Sequence, residues 1–564
     1  MNGSAQPGPL VRLTEYGPVV GLDDATTGTY AWKGVPFAKP PVGDLRWKAP
    51  VPPEPWREPL ATTAFGPASA QSGYLHGPGL HNAYDATIGE TLGQALGSED
   101  CLYLNLWRPA TEETGLPVIC FIFGGAKVTG TTADPIYDGA ALARAANAVV
   151  VTLNYRLGVF GWLDLPQLKT GTDPLGDSGN FGTLDQIQAL GFLQRNLAAF
   201  GGNPGCVTLM GQSAGAADVY ALLTSPTVVA ARPPLCHRAV LLSGGLALPE
   251  ELPPGSIPIL RPAAYARAQG TALLHGLLMA DGLAADEAAA AAQVAARTDT
   301  EVAAYLRAKT PEELLRQVLT RLMPAGLGQT SAIPDGRVVA ASPLAAIAAG
   351  AYLQVPMIVS TTRDEGKLFP GFLALAPALG GLPGLVVSDA RRFQLMAAFD
   401  GDAPPSLAPE DLIQPAYLPV DAPGTGYEAR MALLGRLFFT TNRDVMLKAL
   451  SGRQSELWCS RFDWDEEPAP WNVVYGAAHL FDVPFLFGTF GPSVFSKAIC
   501  STANAPGRLA LSRAMMASLA AFARAGDPNH PGLGTEWPAW PATLVFDASP
   551  EEAQIRVQVP AASI

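Results

Sequence analysis

Histidine and cysteine are scarce in this chain, with six of each among 564 residues, and no segment gathers basic residues. Cys101, Cys120, Cys206, Cys236, Cys459 and Cys500 lie far apart, and no C-x-x-C pair or Cys/His cluster occurs. Zinc ligation of the usual spacing is therefore excluded, and free thiols are expected. The balance of 37 Lys and Arg against 50 Asp and Glu gives a net charge of −13, the opposite of a nucleic-acid footprint. Residues 1–10 carry neither the basic nor the apolar region of a secretory signal, so a cytoplasmic location is expected. Long uninterrupted apolar runs are missing too. Ala284 to Ala296 contains Asp286 and Glu287, and Pro370 to Val387 is broken by prolines and glycines, so no membrane span is expected.

Against these absences stands a chain that is 48% hydrophobic and can bury a large core. Residues 10–60 read as a β-meander of short strands at Val11–Thr14, Pro18–Gly21 and Thr29–Trp32. After it, apolar strand-like runs alternate with helical spacing. Pro117–Phe123 and Ala148–Asn154 are almost continuously apolar, as strands covered on both faces should be. Leu184 to Leu197 repeats apolar residues at helical intervals. Later strands are expected at Ala239–Ser243, Val355–Ser360 and Leu457–Phe462. The alternation predicts an α/β fold: a large, mostly parallel central sheet with helices on both faces. Residues 1–564 read as one domain with insertions near 70–98, 262–325 and 366–435.

The run Cys206 to Gly215 carries the chemistry. A β-prone stretch stops at Gly211-Gln212-Ser213-Ala214-Gly215, and a helix-compatible stretch follows. This strand–turn–helix context is what a nucleophile elbow needs: glycines two residues either side of a serine allow a sharp turn that lifts its hydroxyl. Such a serine needs a base, and the base an orienting carboxylate. Of the histidines after Ser213, His237 enters a strand, His275 sits in an apolar helical stretch and His530 in a turn, whereas His479 follows a late strand by a loop. Asp364 and Glu365 both follow the strand at Val355–Ser360, and position alone leaves either as the acid.

Many motifs along residues 10 to 545 resemble the type-B carboxylesterase/cholinesterase family of α/β-hydrolases. Among them are Gly34-Val35-Pro36-Phe37, Leu45-Arg46-Trp47, Ser98-Glu99-Asp100-Cys101-Leu102, Asn154-Tyr155-Arg156, Phe200-Gly201-Gly202-Asn203-Pro204, Arg363-Asp364-Glu365-Gly366 and Gly526-Asp527-Pro528. The resemblance implies the α/β-hydrolase fold and hydrolysis of small to medium carboxylic esters with no cofactor or metal, in a monomer or small homo-oligomer. It implies Ser213 as nucleophile, Glu365 as acid and His479 as base. The backbone N–H groups of Gly125, Ala126 and Ala214 would form the oxyanion hole. It further implies structural ion pairs Arg46–Glu99 and Arg156–Asp185, and a Ser243 hydroxyl near the acid.

Departures from the family pattern narrow the expectation. Ala126 replaces a glycine and should disfavour bulky tertiary-alcohol esters. Lys127 stands where an aromatic is common and Gln212 where Glu is frequent; both are candidate substrate-binding residues, and a Lys127 ammonium in the pocket would favour anionic esters, whereas the plainer reading has Lys127 turned outward or paired with an acidic residue of the wall. Leu480 and Asp482 replace the usual Gly and Glu after the base. Ser69 replaces a cysteine that would pair with Cys101, so the 70–98 flap is expected without its disulfide. A cholinesterase is disfavoured, because Gln212 lacks the negative charge and no tryptophan lies between Ser69 and Cys101. Two other readings stay open: a lipase acting at interfaces through Pro370–Val387, and a catalytically silent binding protein.

Overall fold

The computed structural model describes residues 8–75, 77–369, 389–491 and 493–559. Its centre is an eleven-stranded sheet. In chain order the strands are β1 (Leu22–Asp24), β2 (Thr29–Pro36), β3 (Tyr103–Pro109), β4 (Leu116–Ile122), β5 (Val149–Leu153), β6 (Gly202–Gln212), β7 (Arg238–Leu242), β8 (Met357–Thr362), β9 (Leu457–Phe462), β10 (Thr543–Ala548) and β11 (Ala553–Gln558). Across the sheet they run β11-β10-β9-β8-β7-β6-β4-β5-β3-β2-β1. Pairings from β5 through β4 to β10 are parallel. Antiparallel pairs close both edges, β5–β3–β2–β1 on one side and β10–β11 on the other.

Composition explains the centre. Every residue of β4 (LPVICFI) and of β5 (VVVTL) is buried, because helices cover both faces of the parallel strands. Helix α1 (Ala140–Ala146) packs with the long C-terminal helix at Ala505–Ala525, while α2 (Phe181–Asn196) packs with α3 (Ala214–Thr224), which follows β6 directly. The mixed sheet wrapped by helices is an α/β-hydrolase fold.

The expected N-terminal meander divides in two. Val11–Leu13 and Pro18–Val20 form a small separate sheet with Leu60–Ala61. Thr29–Pro36 instead joins the central sheet, because Ala31, Trp32 and Val35 are fully buried there against β3 and the core. The edge strand at Val11–Leu13 has no such apolar face.

The 262–325 insertion is helical: α4 (Ala263–Ala280), α5 (Glu287–Ala295), α6 (Asp299–Arg307) and α7 (Pro311–Gln317). Thr298 with Glu301 and Thr310 with Glu313 form reciprocal capping boxes that start α6 and α7. These helices have a core of their own, in which Leu273, Leu277, Leu306 and Leu314 meet Trp47, Phe160 and Leu163. No helix among the described residues is long and apolar enough to cross a membrane. The stretch Pro370–Val387, on which the interfacial-lipase reading leaned, lies outside the described residues.

Candidate active site

The site gathers at the C-terminal ends of β4, β6, β8 and β9. Strand β6 ends at Gln212 and α3 begins at Ala214, so Ser213 alone makes the turn, at φ 57° and ψ −122°. A non-glycine residue there is strained, and its neighbours hold it. Its N–H donates to the Leu242 carbonyl at 2.8 Å, and its carbonyl accepts from Ala217 at 3.0 Å. The flanking glycines are needed for space. A Cβ on Gly211 would come 2.3 Å from the Gly215 carbonyl oxygen, and one on Gly215 would come 2.1 Å from that of Ile122.

Glu365 and His479 are brought together from chain positions 114 residues apart. Glu365 follows β8; its Oε1 accepts from the Thr362 N–H at 2.8 Å and its Oε2 meets His479 Nδ1 at 2.5 Å. Both side chains are 2% exposed. The imidazole lies beside Phe369 and Phe439, with ring centroids 5.0 and 4.5 Å away. Its other nitrogen, Nε2, is 3.0 Å from Gln212 Nε2. With Nδ1–H donated to Glu365, Nε2 is an acceptor and the amide NH₂ donates to it.

The two carboxylates left open by position are separated by their partners. Asp364 faces away from the imidazole: it pairs with Arg363 at 2.8 Å and accepts the Ala477 N–H at 3.1 Å. Its backbone N–H also donates to Ala477, so Asp364 pins the turn that carries His479. Asp482, on the same turn, is buried, and burial first and Glu365 second push its carboxyl up to about 7.

The loop after β4 turns through three successive left-handed residues, Gly125 (φ 89°), Ala126 (φ 53°) and Lys127 (φ 61°). It is held at several points. Tyr155 Oη donates to the Phe123 carbonyl at 2.7 Å, and the Gly158 N–H to that of Lys127 at 2.7 Å. Gln71 Oε1 accepts from the Gly130 N–H at 2.8 Å while its Nε2 donates to the Gly130 carbonyl at 2.9 Å. The loop lies against the elbow, since a Cβ on Gly124 would come 2.8 Å from Ser213 Cβ. Ala214 opens α3, so its N–H has no partner within the helix. Gly124 and Ala214 thus flank Ser213, and Gly125 and Ala126 follow Gly124 along the loop.

The two candidate substrate contacts are corrected. Lys127 is not a pocket cation. Its ammonium is buried, bonded to Asp218 on α3 and to the Ala214 carbonyl at 3.3 Å, with the Trp162 ring centroid 4.9 Å away. Asp218 also accepts from Gln186 at 2.9 Å. Burial pulls both Lys127 and Asp218 toward their neutral forms, and their contact opposes it. Gln212 is likewise buried, and its amide is turned to His479 rather than presented to a ligand. Ser243 is buried with its N–H on the Ser360 carbonyl, and its Oγ has no hydrogen-bond partner among the described residues. By contrast, Arg46 pairs with Glu99, and Arg156 with Asp185 at 2.7 Å. Ser69 Oγ donates to the Tyr155 carbonyl at 2.6 Å, and Cys101 is a buried thiol.

Sequence reasoning missed Asp218, Phe369 and Phe439. Asp218 had a signal, being the one charged residue in the apolar helix Ala214–Thr224. The phenylalanines had none, since aromatic residues are ordinary in a core. Among the described residues, no cluster of three His, Cys, Asp or Glu side chains can hold a metal ion.

Comparison with known proteins agrees with this geometry. Residues 8–559 match the profile of the Carboxylesterase family. The chain belongs to the carboxylesterase family. It is 30% identical to the para-nitrobenzyl esterase of Bacillus subtilis (strain 168), over 95% of each chain. It is 32% identical to the fumonisin B1 esterase of Sphingopyxis macrogoltabida, covering 94% of this chain and 84% of that one. A solved PNB esterase structure superposes with TM-score 0.68 at 28% identity, covering 97% of both chains. A Geobacillus stearothermophilus carboxylesterase gives 0.69 at 27% identity, covering 97% of this chain and 98% of that one. This carboxylesterase is accordingly a serine hydrolase that acts on carboxylic esters.

Proposed function

We propose that this carboxylesterase hydrolyses small to medium carboxylic esters, with broad specificity, through an acyl-enzyme on Ser213. The observation that supports it most is the placement of His479, with Nδ1 on Glu365 and Nε2 directed to the end of the strand that delivers Ser213. In the first half, Ser213 Oγ attacks the ester carbonyl carbon and its proton passes to His479 Nε2. Glu365 holds the ring orientation and stabilises the imidazolium. The carbonyl oxygen takes up the negative charge of the tetrahedral intermediate beside the N–H groups of Gly125, Ala126 and Ala214. The C–O bond to the alcohol breaks, and His479 returns the proton to the leaving alkoxide. Water then repeats the sequence on the acyl-enzyme, releasing the acid and Ser213. The Ala126 methyl beside this centre disfavours tertiary-alcohol esters. The substrate is a neutral or mildly polar small ester, because Lys127 is engaged by Asp218. A cytoplasmic site of action and a monomer or small homo-oligomer complete the reading, the first supported by six unpaired cysteines.

The test is hydrolysis of p-nitrophenyl esters of graded acyl length by wild type and Ser213→Ala. A folded Ser213→Ala should lose on the order of 10⁴–10⁶ in kcat. Activity near wild type in that variant would overturn the acyl-enzyme mechanism. A wild type inert toward every ester would favour the silent binding protein. A jump in rate above the solubility limit of a long-chain ester would favour the interfacial lipase.

A further inference from the structure

Resting on the Ser213/His479/Glu365 reading, we propose that Gln212 is a positioning residue for the base. Its amide donates to the lone pair of His479 Nε2 and keeps the ring in the form that can accept the Ser213 proton. Three observations carry this. The amide nitrogen lies 3.0 Å from Nε2, while Glu365 occupies Nδ1 at 2.5 Å, so both ring nitrogens have partners before any substrate arrives. Gln212 and His479 are 1% and 2% exposed, so water competes little for either group. The amide oxygen is wedged at the oxyanion loop, since a Cβ on Gly124 would come 2.7 Å from Gln212 Oε1 and 2.8 Å from Ser213 Cβ. One side chain therefore spans from the loop that faces the nascent oxyanion to the nitrogen that takes the nucleophile's proton.

The physical consequence is a bias on protonation. A donor at Nε2 stabilises the neutral imidazole, whose lone pair it uses. Once Nε2 carries a proton, N–H faces N–H and that stabilisation is gone. Ser213 Oγ then takes the place of the amide on Nε2 when substrate binds, and an unprotonated ring is waiting for it. The groups around the ring fit this assignment. Glu365 faces it from the segment after β8, and Asp482, on its own turn, is raised toward its neutral form by burial and by Glu365. Asp364 is turned to Arg363 and the Ala477 N–H, and Lys367 to Glu428 at 2.8 Å. Phe369 and Phe439 lie beside it and do not titrate.

The experiment is the pH profile of kcat/KM for a p-nitrophenyl ester, with wild type, Gln212→Met and Gln212→Glu compared from about pH 5 to about pH 9. Gln212→Met removes the donor, and its acid limb should move to higher pH by about half a unit. Gln212→Glu puts an acceptor-only carboxylate there, which favours the imidazolium, and should move the limb up by about one unit or more. A packing role alone predicts lower rates in Gln212→Met with no movement of its limb, whereas the upward limb of Gln212→Glu is common to both roles. The rate at which a fluorophosphonate labels Ser213 across the same pH range gives the same ordering without turnover. If Gln212→Met fails to fold, as thermal melting would show, Gln212→Leu removes the same donor and is read in the same way. Coincident limbs, or a limb that moves down in Gln212→Glu, overturn the assignment of Gln212. If Ser213→Ala has abolished activity by then, that failure is confined to Gln212. If Ser213→Ala hydrolyses normally, the proposed function falls, and this inference with it.

Discussion

At residue scale, the partners of Asp364 and Glu365 separate two carboxylates that are adjacent in sequence. Glu365 Oε2 is bound to the imidazole, whereas Asp364 is spent on Arg363 and a backbone N–H. Glu365→Gln should cost on the order of 10⁴ in kcat, because the amide presents the wrong partner to Nδ1–H. Asp364→Asn should cost about tenfold at most and show mainly as a lower melting temperature, since it loosens the turn carrying His479. Esterase assays and melting curves on the two variants check this, and the reverse order of damage would move the acid by one residue. Lys127 is read in the same way. Lys127→Met strands Asp218 without its cation, and losing one partner of a buried pair costs about 3–5 kcal/mol. The stranded carboxyl has its folded-state pKa raised by burial, so it keeps its proton in the fold more readily than in the unfolded chain. Stability lost by the variant is therefore smaller at low pH and grows as pH rises. Denaturant unfolding of Lys127→Met at several pH values measures it, and Lys127→Met combined with Asp218→Leu should restore much of the loss.

At the scale of elements, the joint between β6 and α3 decides whether there is a site at all. The helix lies so close to β4 that Gly215 has no room for a methyl group beside the Ile122 carbonyl. Gly215→Ala must push α3 outward, and overpacking of this kind costs about 1–3 kcal/mol. Because Ala214 and Ser213 move with the helix, kcat should fall by far more than stability does. A variant that melts lower but keeps its kcat would show that the helix start is free to shift. The strands and helices themselves were legible in the sequence, the continuous apolar runs of β4 and β5 above all, because both faces of a covered strand must be apolar. Pairing was less legible. Thr29–Trp32 was read with the two strands before it, yet it pairs with β3, some seventy residues on, where Trp32 and Val35 find their burial. Local pattern reports that a strand is half buried and leaves its partner unnamed.

At the scale of the whole molecule, the core holds carboxyl groups whose burial outweighs any neighbouring cation. Burial raises Asp134 to about 7, and Asp482 to about 7 with help from Glu365; Glu467 is raised by burial as well. In the unfolded chain such groups titrate near 4. A folded-state pKa above the unfolded one means stability that is full below about pH 4 and lost as pH climbs toward about 7. Between those values the buried carboxyls pull the melting temperature down as pH rises. Asp134→Asn and Asp482→Asn should flatten that fall, which scanning calorimetry between about pH 5 and about pH 8 reads directly. An unchanged slope in both variants would mean that these carboxyls are neutralised some other way.

The sequence by itself determined the class of fold, the serine at its strand–helix turn and the histidine that the proposed mechanism takes as its base. Each is written in local chemistry: apolar periodicity, glycines around a turn, a histidine in a loop after a strand. It did not decide where long polar side chains end. Lys127 ends the loop after β4, where the sequence leaves open a ligand-facing ammonium or a pairing with an acidic residue of the wall, and the tertiary structure decides for an aspartate on α3, 91 residues away. Gln212 was read as lining a pocket, and the fold sets it on His479, 267 residues away. A flexible polar side chain buried in low dielectric takes whichever partner satisfies it, and that partner is chosen by packing between distant segments.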